Sequence, residues 1–210
     1  MSTQSNGQPA MTLSDHMRRI FKGVLDPIAG FLNRLGLTPN MVTFLGLAGS
    51  CVGALFIARG EMTIAGFVIL LAGPIDALDG AMARLRGEPS DFGGFIDSVT
   101  DRYSELLIFG GLVYYFFQQN DLLAVMLTFT AAAGSVLVSY VKARAEGLGF
   151  QAKVGMLTRL ERYIVLIPSL VFNVPIVAMW IMAVFTNFTA LQRILHVRAQ
   201  AHREMKTGRG

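Results

Sequence analysis

Three stretches of this chain carry no charged residue: Met41–Ala58, Leu122–Val141 and Tyr163–Gln192. A run of about 18 or more mostly apolar, uncharged residues reads as a membrane-crossing helix. Only a helix or a closed barrel satisfies the backbone polar groups where water is absent. Composition agrees: 53% of the 210 residues are hydrophobic, 15% are charged, and the mean hydropathy is +0.51. A soluble domain of this size needs more polar surface than that. Spans are expected at 39–59, 62–86, 91–118, 121–147, 157–173 and 174–196. Thr38 can cap the first and Pro39 suits its first turn, while Asn173 and Pro175 separate the last two. Upstream, Leu13, Met17, Ile20, Phe21 and Val24 share a helical face opposite Arg18, Arg19 and Lys22. Ile28, Phe31, Leu32 and Leu35 repeat the pattern until Gly36, so 12–36 reads as interfacial amphipathic helix. The expected fold class is therefore an all-α integral membrane protein, with six transmembrane helices and an N-terminal interfacial helix.

Residues 1–11 are polar, show no signal-peptide pattern and are expected to form a disordered tail. Residues 37–200 form one membrane domain, and 201–210 a basic C-terminal tail. The single cysteine, Cys51, falls mid-span and reads as a small buried hydrophobe. Of the 18 Lys and Arg residues, only Arg59 falls on the side of the 1–2, 3–4 and 5–6 turns. That bias places both termini and the remaining turns in the cytoplasm of a plasma membrane. It also accounts for the net charge of +4 without a nucleic-acid partner.

Ionisable residues inside spans are costly and default to functional hypotheses. The second span ends in Asp76, Asp79 and Arg84; the third begins with Asp97, Asp101, Arg102 and Glu105. Asp76 and Asp79 share one helix face, as do Asp97 and Asp101. A short turn makes the two helices antiparallel neighbours, so both pairs are expected to meet across Gly80, Ala83 and Gly93. Four clustered carboxylates take up protons or bind cations. An all-oxygen donor set favours Mg2+ or Mn2+, and four carboxylates suit two ions clamping a phosphoryl group.

The pattern Asp76-x2-Asp79-Gly80-x2-Ala83-Arg84-x8-Gly93-x3-Asp97-x3-Asp101 resembles the signature of the CDP-alcohol phosphotransferases at all eight fixed positions. The resemblance implies that the four aspartates bind two divalent ions and that Asp101 is the catalytic base. It also implies that Gly80, Ala83, Arg84 and Gly93, with Pro39, Asn40, Thr43 and Asp79, hold the CDP-lipid. The acceptor oxygen would attack the lipid-side phosphorus directly, and CMP would leave. A homodimer is implied as well.

Lys142, Arg159, Arg162 and Arg193 form a second, basic cluster near span ends. Cations beside a metal site suit a phosphorylated polyol acceptor. The run from Ser139 to Gly147 and the later Arg159-x2-Arg162 stretch are similar to the branch that makes phosphatidylinositol phosphate or its archaeal ether-lipid analogue. Inositol 1-phosphate is then the implied acceptor, with Ser139, Lys142, Arg162 and Arg193 implied to hold its phosphate, although Thr158 stands where that branch usually carries Glu. The alternatives are glycerol 3-phosphate, giving phosphatidylglycerol phosphate, and, from another class, an ion-coupled transporter. The chain lacks the inverted repeats expected of many transporters.

Overall fold

The computed structural model describes residues 25–87 and 90–206, apart from the side chains of Pro74, Asp76 and Ala77. The polar tail and the first half of the amphipathic segment lie outside the described residues. Helix α1 is described over residues 25–34. It is followed by α2 (Pro39–Ala58), α3 (Met62–Arg86), α4 (Asp91–Gln118), α5 (Leu122–Gly147), α6 (Arg159–Val171) and α7 (Pro175–Lys206). No strand occurs among the described residues.

Local chemistry accounts for the helix ends. Thr38 accepts from the Met41 amide, Ser90 from Gly93 and Asp121 from Ala124, so three helices start on side-chain caps. Asn120 and Asn173 take positive φ between α4 and α5 and between α6 and α7, a conformation that asparagine tolerates. Boundaries match the expected ones closely until the end of α7, which runs on to Lys206.

Four helices, α2, α3, α5 and α7, are long and apolar enough to cross a membrane. The other two differ for separate reasons. Helix α4 is long but carries Asp97, Asp101, Arg102 and Glu105 between its start and its middle. Helix α6 has 13 residues, or about 20 Å of rise against about 30 Å of bilayer hydrocarbon. Large apolar side chains are exposed on every helix, with Leu71, Phe117, Phe129 and Phe172 among them. Apolar exposure on that scale belongs in lipid.

The packing corrects one expectation. Helices α3 and α4 are not close neighbours; among the described residues each packs chiefly on α2. Glycines on α2 explain why. A Cβ at Gly49 or Gly53 would press on Ala72 or Ile69 of α3, and one at Gly111 of α4 would sit 2.6 Å from the Ala54 carbonyl oxygen. Small residues thus let α2 meet both helices backbone to backbone. On the other side α5 packs on α4 and α7, and α6 on α3 and α7. Ile69, Phe109, Leu112, Leu170 and Met179 are among the residues filling the core in the half of the bundle away from the α3–α4 turn.

Gly111→Ala is expected to force α2 off α4 and to destabilise the protein by about 1–3 kcal/mol. Gly110 faces open space, so Gly110→Ala is the matched control. Thermal unfolding in detergent checks the pair, and equal melting temperatures would show that this crossing tolerates a side chain.

Helix α1 is tucked beneath the opposite half. Its Ala29 is buried with Val42 of α2 and Leu78, Ala81 and Met82 of α3. Arg86 ties the two segments together. Its Nε donates to Asn33 Oδ1 at 2.7 Å and its Nη2 to the Leu37 carbonyl at 2.6 Å. Ile28 and Phe31 on the other face of α1, and Leu35 just after it, remain exposed.

Candidate active site

Successive helices alternate in direction, so the start of α2, the end of α3, the start of α4, the start of α6 and the later part of α7 share one end of the bundle. The charged residues gather there. Asp79 is 7% exposed and Asp101 is 6% exposed, burial that ionised carboxylates tolerate only with partners. Thr43 on α2 donates its hydroxyl to Asp79 Oδ2 at 2.5 Å, and the Gly80 amide donates to Oδ1 at 2.5 Å. Thr43 also reaches back to the Pro39 carbonyl at 3.2 Å within α2, and its bond to Asp79 ties the start of α2 to the end of α3.

Asp101 is met by two guanidinium groups. Arg159 Nη2 lies 2.5 Å from Oδ1, and Arg102 Nη2 lies 3.3 Å from Oδ2. One turn further along α4, Glu105 takes a two-armed contact from Arg162: Nε to Oε1 at 2.6 Å and Nη2 to Oε2 at 3.2 Å. Arg162 is 2% exposed and also donates Nη1 to the Leu157 carbonyl at 3.4 Å. Arg159 is 38% exposed at its side chain and lies over the Tyr163 ring, 5.8 Å from its centroid.

Residues 148–158 are strapped to α7. The Leu157 amide donates to Thr189, and Arg193 donates to the Val154 carbonyl at 2.8 Å and the Val138 carbonyl at 2.5 Å. Gln151 and Gln200 exchange two further bonds. Gly155 has φ +134° and lies so close to Thr189 that no side chain fits. Thr158 then begins α6 and donates to Glu161.

The remaining candidates are distributed as follows. Gly80 lies under Arg84, where an added Cβ would come within 3.3 Å of the guanidinium. Arg84 and Asn40 are exposed, while Pro39, Ala83, Gly93 and Asp97 are half-buried. Asp76 lies one helical turn before Asp79, with its side chain outside the described residues. The basic cluster divides. Arg159 and Arg162 reach the α4 carboxylates, and Arg193 is buried against backbone carbonyls. Lys142 is exposed and pairs with Glu146 on its own helix at 3.8 Å, and Ser139 bonds back to the Ser135 carbonyl at 3.3 Å. Sequence reasoning gave Glu105 no role. The available signal was its place one turn after Asp101, matched by the three-residue step from Arg159 to Arg162.

Among the described residues no three potential ligands already surround one point. The donor chemistry nonetheless fits a hard divalent ion: Asp79 and Asp101 are buried, Asp97 is half-buried, and neither histidine nor cysteine joins them.

Residues 36–191 match the family model described as CDP-alcohol phosphatidyltransferase. A Streptomyces avermitilis protein named phosphatidylinositol phosphate synthase is 38% identical, over 90% of this chain and 84% of the relative. The archaetidylinositol phosphate synthase of Methanothermobacter thermautotrophicus is 33% identical, over 89% and 94%. The crystal structure of Mycobacterium tuberculosis phosphatidylinositol phosphate synthase with CDP-DAG bound superposes with a TM-score of 0.78 at 35% identity, covering 83% of this chain and 93% of that one. A second structure of that enzyme, with manganese and citrate, gives the same score and identity over 82% and 88%. With a carboxylate motif on two helices, a matching family model and a shared fold in hand, the chain belongs to the CDP-alcohol phosphatidyltransferase family.

Proposed function

We propose that this metal-dependent transferase moves the phosphatidyl group of a CDP-lipid to inositol 1-phosphate, giving phosphatidylinositol phosphate and CMP. The observation that carries the acceptor is Arg159, half-exposed and seated 2.5 Å from Asp101. It places a guanidinium, a group suited to binding phosphate, beside the proposed base. The synthases above, named for a phosphatidyl- or archaetidylinositol phosphate product, support the same choice.

In this reading Asp76, Asp79, Asp97 and Asp101 hold two Mg2+ or Mn2+ ions, which when bound neutralise the diphosphate. Gly80, Ala83, Arg84, Gly93, Pro39, Asn40 and Thr43 line the CDP moiety. The acceptor hydroxyl gives its proton to Asp101, its oxygen bonds to the lipid-side phosphorus, and the bond to CMP breaks. Lys142 and Arg159, with Ser139, face the acceptor phosphate; Arg162 and Arg193 hold the wall behind it. All six helices α2–α7 traverse the membrane as one domain over 37–200, α1 lies in the interface, and the active site and both termini face the cytoplasm. Two chains form a homodimer.

The test is CMP release by the purified protein, given CDP-lipid and Mn2+ with either inositol 1-phosphate or glycerol 3-phosphate. Release is expected with the inositol phosphate alone. Release with glycerol 3-phosphate alone would keep the chemistry and replace the acceptor.

A further inference from the structure

Ion pairs connect α4 to α6, and their spacing matches. Asp101 and Glu105 are one turn apart on α4; Arg159 and Arg162 are one turn apart on α6. The pairs are therefore rungs of one ladder, yet they are built differently. The Glu105–Arg162 rung is buried at 7% and 2% exposure and is two-armed, and the Leu157 carbonyl takes a third bond from Arg162. The Asp101–Arg159 rung is a short contact of 2.5 Å from a half-exposed arginine. A planar guanidinium held on two carboxylate oxygens fixes both distance and orientation. Buried ion pairs are poor sources of stability but can specify one arrangement among several.

We propose that Glu105 is a positioning residue for the transfer: by gripping Arg162 it sets the register of α6 on α4, and that register delivers Arg159 to Asp101. Glu105 touches neither substrate; it acts through Arg162 and the helix. The strap of residues 148–158 enters α6 from the other side, so the helix start is fixed both by Glu105 and by the Thr189 and Arg193 bonds. This inference rests on the acceptor reading above only in giving Arg159 the acceptor phosphate.

A double-mutant cycle on the full chain in detergent tests it, with CDP-lipid and Mn2+ saturating and inositol 1-phosphate varied. Glu105→Gln keeps the shape but loses the charge and one acceptor oxygen. It is expected to lower kcat/KM for the acceptor about 10- to 100-fold, the scale of a misplacement near 1 Å, with the CDP-lipid KM within about twofold of the parent. Arg159→Ala is expected to give a similar acceptor defect. The decisive comparison is the double variant Glu105→Gln/Arg159→Ala. If Glu105 acts through Arg159, the double variant is no worse than Arg159→Ala alone, because coupled residues are non-additive. Losses that multiply would overturn the proposal, as would a CDP-lipid KM that rises as much as the acceptor's. Should Glu105→Gln not yield a folded protein, Arg162→Lys breaks the two-armed contact with charge kept and enters the same cycle. If neither folds, the pair is a folding requirement and the positioning claim fails. A parent enzyme that uses only glycerol 3-phosphate changes the acceptor in the cycle and nothing else, so the two readings fail separately.

Discussion

Asp101→Asn is expected to lower the rate of CMP release at least about 100-fold, within the range that general-base catalysis contributes. The substitution keeps the shape of the side chain and one carbonyl oxygen, so the structural cost is small. What it removes is the proton acceptor on the acceptor hydroxyl. It also removes the anion that Arg159 and Arg102 approach at 2.5 and 3.3 Å. Binding of the CDP-lipid, measured directly by titration rather than by turnover, should stay within a few-fold of the parent. A variant keeping more than about a tenth of the activity would assign the base elsewhere. One that loses donor binding in step with turnover would make Asp101 chiefly a ligand-holding residue.

The second large effect is on stability. Arg162→Ala leaves Glu105 buried without its main partner, and breaking such a pair from one side costs about 3–5 kcal/mol. Removing both charges is a different experiment. The pair Glu105→Leu/Arg162→Met replaces two buried ions with apolar groups of similar volume, which is often neutral or stabilising. The double variant should therefore unfold at a higher temperature than Arg162→Ala, yet turn over poorly because the Glu105–Arg162 contact no longer sets the register of α6 on α4. Stability and activity separating in this way would distinguish a positioning pair from a structural one. A double variant as unstable as the single would show that Arg162 contributes through its packing and its bond to the Leu157 carbonyl.

Much of this was legible in the residues. Charge-free runs gave the helices, and Thr38 gave the start of the first span, because capping depends on neighbours in sequence. The carboxylate motif was legible for the same reason, since all of it lies on two consecutive helices. Partners distant in sequence were not legible. Arg159 meets Asp101, and Arg162 meets Glu105 across 57 residues. The sequence shows only that the cations exist near span ends, not which carboxylate each one reaches. The arrangement of α3 and α4 was misjudged on similar grounds. A short turn says that two helices are antiparallel; it does not say whether a third, glycine-faced helix takes both surfaces. Here Gly49, Gly53 and the Ala54–Gly111 crossing give them to α2.

Placing the carboxylates at one end of an otherwise lipid-facing bundle has a kinetic consequence. A donor that never leaves the bilayer is counted by its mole fraction among lipids, whereas a polar acceptor is counted by its molarity in water. The two Michaelis constants therefore have different dimensions. Adding inert detergent or phospholipid at fixed total donor should slow the reaction by surface dilution and leave the acceptor's constant unmoved. Rates compared between preparations carry meaning only at matched donor-to-amphiphile ratio.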